Sequence, residues 1–240
     1  METLQDRLRL GRSDPEVAVF VSGVASMGLE ILAGRILAPE FGSSIYTWGS
    51  IIGVFLAALS YGYHRGGMQA AARATDGRMA RVFLFTAVYV VGLILVGDVL
   101  LRSTVALPLP SRFASLPAVV LLFGPPTYFL GYVSPYAAEL STKEGLGEAS
   151  GHVYMLGTVG SIVGAFATTY LLIPLLGITQ IALVFGALSI AAALAIGRPI
   201  GRERAAVTGF VALLLVAAAA TGAAGYTVQG EVVYETQTPY

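Results

Sequence analysis

The chain lacks cysteine and has few charged residues. Its 240 residues include no cysteine, one tryptophan and two histidines. Without cysteine the protein can form no disulfide, no thiolate metal site and no cysteine nucleophile. Charged residues make up 12% of the sequence, whereas soluble domains carry about 25%. The formal net charge is zero, so the composition does not predict nucleic acid as a partner.

Recognisable catalytic motifs are also missing. The sequence contains no G-x-x-x-x-G-K-S/T phosphate loop, no G-x-S-x-G nucleophile motif and no H-E-x-x-H zinc motif. His64 and His152 are far apart and have no carboxylates at ligand spacing, so they do not indicate a metal site. We therefore predict no catalytic residue and no metal centre, and the sequence leaves any cofactor unknown.

Long apolar stretches are abundant. Hydrophobic residues make up 56% of the chain, and the mean hydropathy is +0.77. About 20 mostly apolar residues suffice for a helix to cross roughly 30 Å of hydrocarbon. Seven stretches qualify, at residues 17–38, 45–64, 80–101, 116–138, 152–175, 179–197 and 205–224. They predict an all-α, polytopic transmembrane helix bundle, multi-pass in the cell membrane, with the lipid bilayer as its first partner.

The positive charges predict an orientation. Eleven basic residues lie before the first span and in the second, fourth and sixth gaps: Arg7, Arg9, Arg12, Arg65, Arg73, Arg78, Arg81, Lys143, Arg198, Arg202 and Arg204. Arg102 and Arg112 lie on the opposite side, and Arg35 lies within the first span. Because Lys and Arg collect in cytoplasmic loops, the N-terminus is predicted inside, and seven spans place the C-terminal tail outside.

The two ends of the chain differ from its centre. Residues 1–15 are polar and predict a short cytoplasmic tail before a transmembrane domain at 16–224. Residues 225–240 alternate roughly between apolar and polar side chains, which predicts a strand. We interpret this tail as the start of a truncated extramembrane β-containing domain. A cleaved signal peptide is the alternative for the first span, but Glu30 and Arg35 lie within it.

Glycine and proline mark several boundaries. Pro39 is predicted to end the first helix, and residues 65–79 are predicted to form an exposed loop. Pro125 and Pro126, in the middle of the fourth span, each remove a backbone donor and predict a kink or a break. Two interpretations are open: a packed kink, or a discontinuous helix that lines a substrate cavity. The glycines of the fifth span predict close helix packing; they are Gly157, Gly160 and Gly164.

Ionisable residues inside a span are costly and therefore mark candidate sites. Glu30 lies near the middle of the first span and Arg35 nearer its outer end. Their spacing of five residues is not that of direct helical neighbours, so each is expected to find a partner on another helix. Glu30 is interpreted either as a structural hydrogen-bonding group or as a carboxylate that binds a cation or a proton. Asp98 is predicted to lie at the interface.

The first hairpin resembles a known family. The segment M-G-L-E-I-L-A-G-R-I-L-A-P at 27–39, followed by Phe41-Gly42 and Tyr46-Thr47-Trp48, is similar to the first hairpin of membrane-embedded spermidine-synthase-like proteins, which fuse a transporter-like part to a spermidine synthase. Residues 151–177 resemble the family's later small-residue helix, and residues 234–240 its first aminopropyltransferase strand. The glycine-rich nucleotide loop and catalytic aspartates of that domain are absent from this sequence.

The resemblance implies a membrane module that anchors an aminopropyltransferase-like domain, fused or associated, and handles a small cationic or lipidic substrate. Two alternatives remain: an independent transporter that uses Glu30 and the fourth helix, or the membrane part of a surface aminopropyltransferase-like enzyme. A homo-oligomer is a further possible partner arrangement. The candidates for substrate binding are Glu30, Arg35, Trp48, Pro125, Pro126 and Tyr154.

Overall fold

A computed structural model describes residues 14–141, 146–196 and 202–225. This part of the chain is helical and contains no strand. The helices are α1 (Asp14–Phe41), α2 (Ile45–Arg73), α3 (Asp76–Val105), α4 (Leu116–Gly131), α5 (Val133–Leu140), α6 (Leu146–Ala167), α7 (Ile178–Ala195) and α8 (Arg202–Gly225). A 3-10 turn at Ser111–Phe113 precedes α4, and a π-helical turn at Thr168–Leu172 and a last turn at Ile173–Leu175 continue α6.

Six helical stretches of the described residues are long and apolar enough to cross a membrane. They are Pro15–Phe41, Ile45–Arg73, Asp76–Val105, Ser111–Leu140, Ser150–Leu175 and Ile178–Ala195. Within α8 the apolar stretch Ala205–Ala217 is shorter. Large apolar side chains such as Leu56, Phe166 and Leu213 are exposed on the outside of the bundle, where lipid would cover them. The prediction of an all-helical bundle with several helices able to cross a membrane is therefore confirmed for the described residues.

Helix α1 lies at the centre and is the most buried of these spans. It packs along α6 and also contacts α2, α4, α5 and α7. Helices α2 and α4 pack together on one side of it, and α3 joins α4 to α7. Helix α8 packs against α3 and α7, where Ala87, Ile190 and Leu215 form a second small core.

The prediction of an exposed loop at 65–79 is wrong. Helix α2 continues to Arg73 and α3 begins at Asp76, so Ala74 and Thr75 are the whole connection. The extra turns of α2 are held by packing, since Gly66 lies against Tyr132 and Ala70 is buried. A loop composition rich in Gly, Ala and Arg therefore folds as helix because a neighbouring helix covers it.

Pro39 does not end α1, which continues to Phe41. Gly42 ends it, with a backbone φ of 75° in the left-handed region and an N–H that donates to the Ala38 carbonyl at 2.9 Å. Glycine is the residue that adopts this conformation without strain. Pro39 lies in the last turn of α1. Its missing N–H removes one backbone hydrogen bond there but does not end the helix.

The fourth span is not broken at Pro125 and Pro126, because α4 runs continuously from Leu116 to Gly131. Pro125 leaves the Leu121 carbonyl without its helical partner, and the Tyr89 hydroxyl of α3 donates to that carbonyl. The interruption falls later, at Tyr132 between α4 and α5. Pro135 has no N–H to donate to the Gly131 carbonyl four residues earlier. This missing hydrogen bond accounts for the position of the interruption.

The predicted cytoplasmic tail at 1–15 and the predicted strand at 225–240 lie almost entirely outside the described residues. Within these two segments the structure describes only Asp14 and Pro15, which begin α1, and Gly225, which ends α8.

Candidate functional site

Two adjoining cavities of about 310 and about 270 Å³ lie between α1, α2, α5 and α6. They share Tyr63, Ser134, Val153 and Tyr154, so we describe them together as the hydroxyl cavity. Its hydroxyl-bearing residues come from all four helices: Ser22, Ser26, Tyr63, Ser134, Ser150, Tyr154, Thr158 and Ser161. A cluster of this kind is unusual in an apolar bundle and is the candidate functional site.

Two hydroxyls of the cavity, those of Ser22 and Thr158, present acceptors to a ligand. A hydroxyl has one donor hydrogen and two acceptor lone pairs. Ser22 Oγ donates to the Val19 carbonyl at 2.9 Å, and Thr158 Oγ1 donates to the Tyr154 carbonyl at 2.8 Å. The hydrogens of these two groups are thus used within their own helices, and lone pairs remain for a ligand. The cavity is suited to a molecule that donates hydrogen bonds.

The charge of the lining favours a cation. The residues that line the two cavities include Glu139, near the end of α5, and no lysine, arginine or histidine. Tyr63 of α2 and Ser134 of α5 both line the two parts of the cavity. A carboxylate and a wall of acceptor oxygens without a basic group would repel an anion and attract a positively charged donor.

Glu30 extends the polar surface of the cavity along α1. Ser22, Ser26 and Glu30 are four residues apart, so they lie on one face of the helix. Glu30 is half-buried, and no hydrogen-bond or ion-pair partner for it occurs among the described residues. A carboxylate in this position is costly unless water or a ligand reaches it. We call Ser22, Ser26 and Glu30 the α1 polar stripe.

Trp48 lies next to the C-terminal end of this stripe. Its indole packs on Gly34, one turn beyond Glu30, and a Cβ added at Gly34 would lie 2.6 Å from the indole Cη2. Trp48 is 38% exposed. The structure therefore brings Glu30 and Trp48, two sequence-predicted candidates, to the same side of α1.

Arg35 has a different environment. Its Nη1 donates to the carbonyls of Ile173 at 3.1 Å and Leu176 at 2.9 Å. These carbonyls end the α6 span, where the chain turns towards α7 through Leu176 and Gly177. Arg35 thus satisfies acceptors that a helix end leaves free. It does not pair with Glu30, and its contacts describe a structural role at the junction of two spans.

The remaining candidates are divided between the cavity and the bundle core. Tyr154 lines both parts of the hydroxyl cavity. Pro125 and Pro126 do not line it; Pro126 is buried in α4 and Pro125 half-buried. Of the six sequence-predicted binding residues, Tyr154 is therefore the one in the cavity wall, and Glu30 lies on the adjoining α1 polar stripe.

The three glycines of α6 face α1. A Cβ at Gly160 would lie 2.2 Å from the Phe20 carbonyl oxygen, and one at Gly164 would lie 2.4 Å from that of Val24. Real Cβ atoms do not approach so closely, so the two backbones touch only because these positions have no side chain. Gly157 lines the hydroxyl cavity and leaves room at its floor.

Several cavity residues were not identified from the sequence, namely Ser22, Ser26, Tyr63, Ser134 and Ser161. The four-residue spacing of Ser22, Ser26 and Glu30 is a signal that was present in the sequence. The others come from α2, α5 and α6, and no sequence pattern links residues on separate helices.

A second cavity, of about 240 Å³, lies at the other end of the bundle. It is mostly apolar and has Glu40 and Asp98 in its lining. Asp98 is exposed in the C-terminal part of α3. Within the described residues, no group of three or more histidine and acidic side chains comes together as a metal site.

Comparison with known proteins gives no match: no protein-family model, no curated protein and no solved structure matches this chain. Functional inference therefore depends on the geometry of the cavity and on the resemblance of the first hairpin.

Proposed function

We propose that this membrane domain binds a small aliphatic amine in the hydroxyl cavity and that Glu30 balances its charge. The observation that carries the proposal is the acceptor-rich, base-free lining beside a carboxylate that has no partner among the described residues. The resemblance of the first hairpin to spermidine-synthase-like membrane proteins supports the same substrate class, a polyamine or its precursor.

The chemistry of binding follows from the lining. A primary ammonium group has three donor hydrogens and no acceptor. In the cavity it would donate to oxygens such as those of Ser26, Thr158 and Tyr154, which replace its water shell. Desolvation of the charge is expensive unless an anion is close. Glu30 on the α1 polar stripe and Glu139 in the wall would supply that anion.

We also propose an orientation. The protein has seven spans in the cell membrane, with α8 as the seventh, the N-terminus inside and the C-terminal tail outside. The excess of basic residues at one end supports this assignment. The packing of α8 against α3 and α7 supports its role as a span. In this orientation Glu139 and Ser150 lie towards the cytoplasmic end of the cavity.

A route along α1 would connect the cavity with the outer side. An aminopropyltransferase-like domain joined to the C-terminal tail, the fused or associated partner implied by the resemblance, would stand outside in this topology. The hydroxyl cavity is towards the inside, so an amine that serves both sites has to pass Glu30 and Trp48. We therefore favour movement of the amine through the domain over simple anchoring of an enzyme.

The binding test uses the full chain in lipid nanodiscs with radiolabelled spermidine and putrescine. Glu30→Gln keeps the shape of the side chain and removes its charge. We expect it to weaken amine binding by about tenfold or more, equivalent to about 1.4 kcal/mol, with unchanged thermal stability. Glu148→Gln is the matched control, since Glu148 is an exposed carboxylate on α6 that does not line the cavity.

Three results would contradict the proposal. One is a wild-type protein that binds neither amine at millimolar concentration. Another is Glu30→Gln protein with wild-type affinity, because the carboxylate would then have no role in charge balance. Equal losses in Glu30→Gln and Glu148→Gln would also contradict it, since they would show a general surface-charge effect.

A further inference from the structure

A separate pocket of about 270 Å³ lies between α2, α3 and α5, and it has the opposite charge. We call it the arginine–tyrosine pocket and define it by Gln69, Arg78, Arg81, Phe85, Tyr132 and Tyr136. It shares no lining residue with the hydroxyl cavity. The amine proposal therefore does not account for it.

Two guanidinium groups line this pocket, and a third lies beside it. Arg78 and Arg81 line it from α3, and Arg65 of α2 lies near the hydroxyls of Tyr128 and Tyr132. Asp76, in the first turn of α3, is the nearest acidic residue in sequence, so positive charge is in excess. Arg81 Nε donates to the Gly77 carbonyl at 3.4 Å. Guanidinium groups hold phosphate in two-pronged hydrogen bonds.

The tyrosines form a preformed wall. Tyr128, Tyr132 and Tyr136 are four residues apart, and successive ring centroids are 5.2 and 6.4 Å apart. The hydroxyls of Tyr128 and Tyr132 lie 2.5 Å apart, and the Tyr136 hydroxyl donates to Gln69 Oε1 at 3.5 Å. Tyr132 and Tyr136 are buried. The polar groups are thus held in place before any ligand arrives.

The depth of the pocket matches the lipid headgroups. Helix α2 has 29 residues and α3 has 30, so they are about 43 and 45 Å long at 1.5 Å per residue. A hydrocarbon core of about 30 Å leaves the ends of both helices in the headgroup layer. Arg78 and Arg81 are the third and sixth residues of α3, so Arg78 lies in that layer and Arg81 at its boundary with the hydrocarbon.

The membrane side of the pocket is apolar. Phe85 is 55% exposed and stacks on Phe129, with ring centroids 5.5 Å apart. It lies one turn deeper along α3 than Arg81. Positive charge at headgroup level above an exposed aromatic surface is an arrangement that fits a ligand with an anionic head and an apolar tail.

We propose that the arginine–tyrosine pocket binds the phosphate of an anionic phospholipid, whose acyl chains lie against Phe85 and Phe129. A free phosphate would satisfy the arginines equally well but would leave the aromatic surface without a role. The lipid would join the ends of α2, α3 and α5 at one face of the bundle.

The test is native mass spectrometry of the full chain in detergent, titrated with phosphatidylglycerol or with phosphatidylcholine. We expect the wild type to retain phosphatidylglycerol preferentially. The double variant Arg78→Gln/Arg81→Gln should weaken this binding by roughly thirtyfold, since each arginine near an anionic surface contributes several-fold in affinity. Arg78→Lys/Arg81→Lys should keep part of it. Circular dichroism checks that each variant is folded.

Arg102→Gln/Arg112→Gln is the matched control at the opposite end of the bundle, and it should bind phosphatidylglycerol as the wild type does. Equal retention by the pocket variant and the wild type would overturn the proposal, as would an equal loss in the control. Inorganic phosphate is the third arm. If millimolar phosphate displaces phosphatidylglycerol fully, the pocket takes a soluble phosphate, and the lipid assignment is wrong.

Discussion

Two faces of α1 make opposite uses of the same helix. On one face, the Phe20 and Val24 carbonyls touch Gly160 and Gly164 of α6 with no side chain between the backbones. On the next face, the α1 polar stripe opens towards the hydroxyl cavity and contains a carboxylate without a partner among the described residues. The first face is closed and structural, and the second is open and polar.

The difference between these two faces shows which contacts stabilise the bundle. Lipid tails are as apolar as a helix surface, so burying apolar side chains gives little drive for association. Close backbone contact supplies dispersion and weak polar interactions instead. The face of α1 that packs on the α6 glycines supplies this contact. The α1 polar stripe therefore does not need to contribute apolar packing and can contain polar groups. Mutations on the two faces should therefore separate stability from binding.

The largest expected effect is on the closed face. Gly164→Leu would force a side chain into the Val24 carbonyl and should lower the free energy of unfolding by about 3 kcal/mol, the upper part of the range for overpacked sites. Gly53→Leu is the control, because a Cβ there has no atom within 4 Å. Thermal unfolding in detergent measures both. A Gly164→Leu protein as stable as Gly53→Leu would contradict the close packing of α1 and α6.

Although Arg35 is charged, we expect its substitution to change stability and not amine binding. Arg35→Gln removes the donors to the Ile173 and Leu176 carbonyls and should cost about 2 kcal/mol, since hydrogen bonds from charged groups are worth about 1.5–3 kcal/mol. Amine affinity should stay at the wild-type level in the folded fraction. Loss of amine binding at full thermal stability would place Arg35 in the site instead.

Of these substitutions, Tyr89→Phe should change the free energy of unfolding least. Tyr89→Phe leaves the Leu121 carbonyl, freed by Pro125, without its donor and should cost about 1 kcal/mol. Pro125→Ala restores the helical N–H. In the double variant, Tyr89→Phe should therefore cost almost nothing, and the two changes should be non-additive. Additive losses in a thermal-unfolding cycle would mean that the tyrosine does not serve this carbonyl.

Six of the seven predicted spans, and the close packing of small residues, could be predicted from the sequence, because both depend on local composition. Length and hydropathy identified six helices that the structure also has as long apolar helices. The glycine spacing at 157, 160 and 164 pointed to a helix contact, although it did not say which helix would be the partner.

Features that depend on contacts between distant segments could not be read in this way. The last turns of α2 are helical because Gly66 packs on Tyr132, which is 66 residues later in the chain. The Leu121 carbonyl that Pro125 frees in α4 is satisfied by Tyr89, which lies on another helix. The hydroxyl cavity needs residues from four helices, and only its α1 polar stripe had a visible period.

The central claim is that the hydroxyl cavity is accessible to water and binds an amine. Cysteine labelling tests this claim most directly. The chain has no cysteine, so single cysteines can be introduced without a background. Thr158 lines the cavity, while the next residue, Val159, is exposed on the apolar surface of α6. In nanodiscs, Thr158→Cys should react with a cationic methanethiosulfonate reagent, and spermidine should slow the reaction, while Val159→Cys should stay unmodified. Unreactive Thr158→Cys, or a rate that spermidine does not change, would contradict the account.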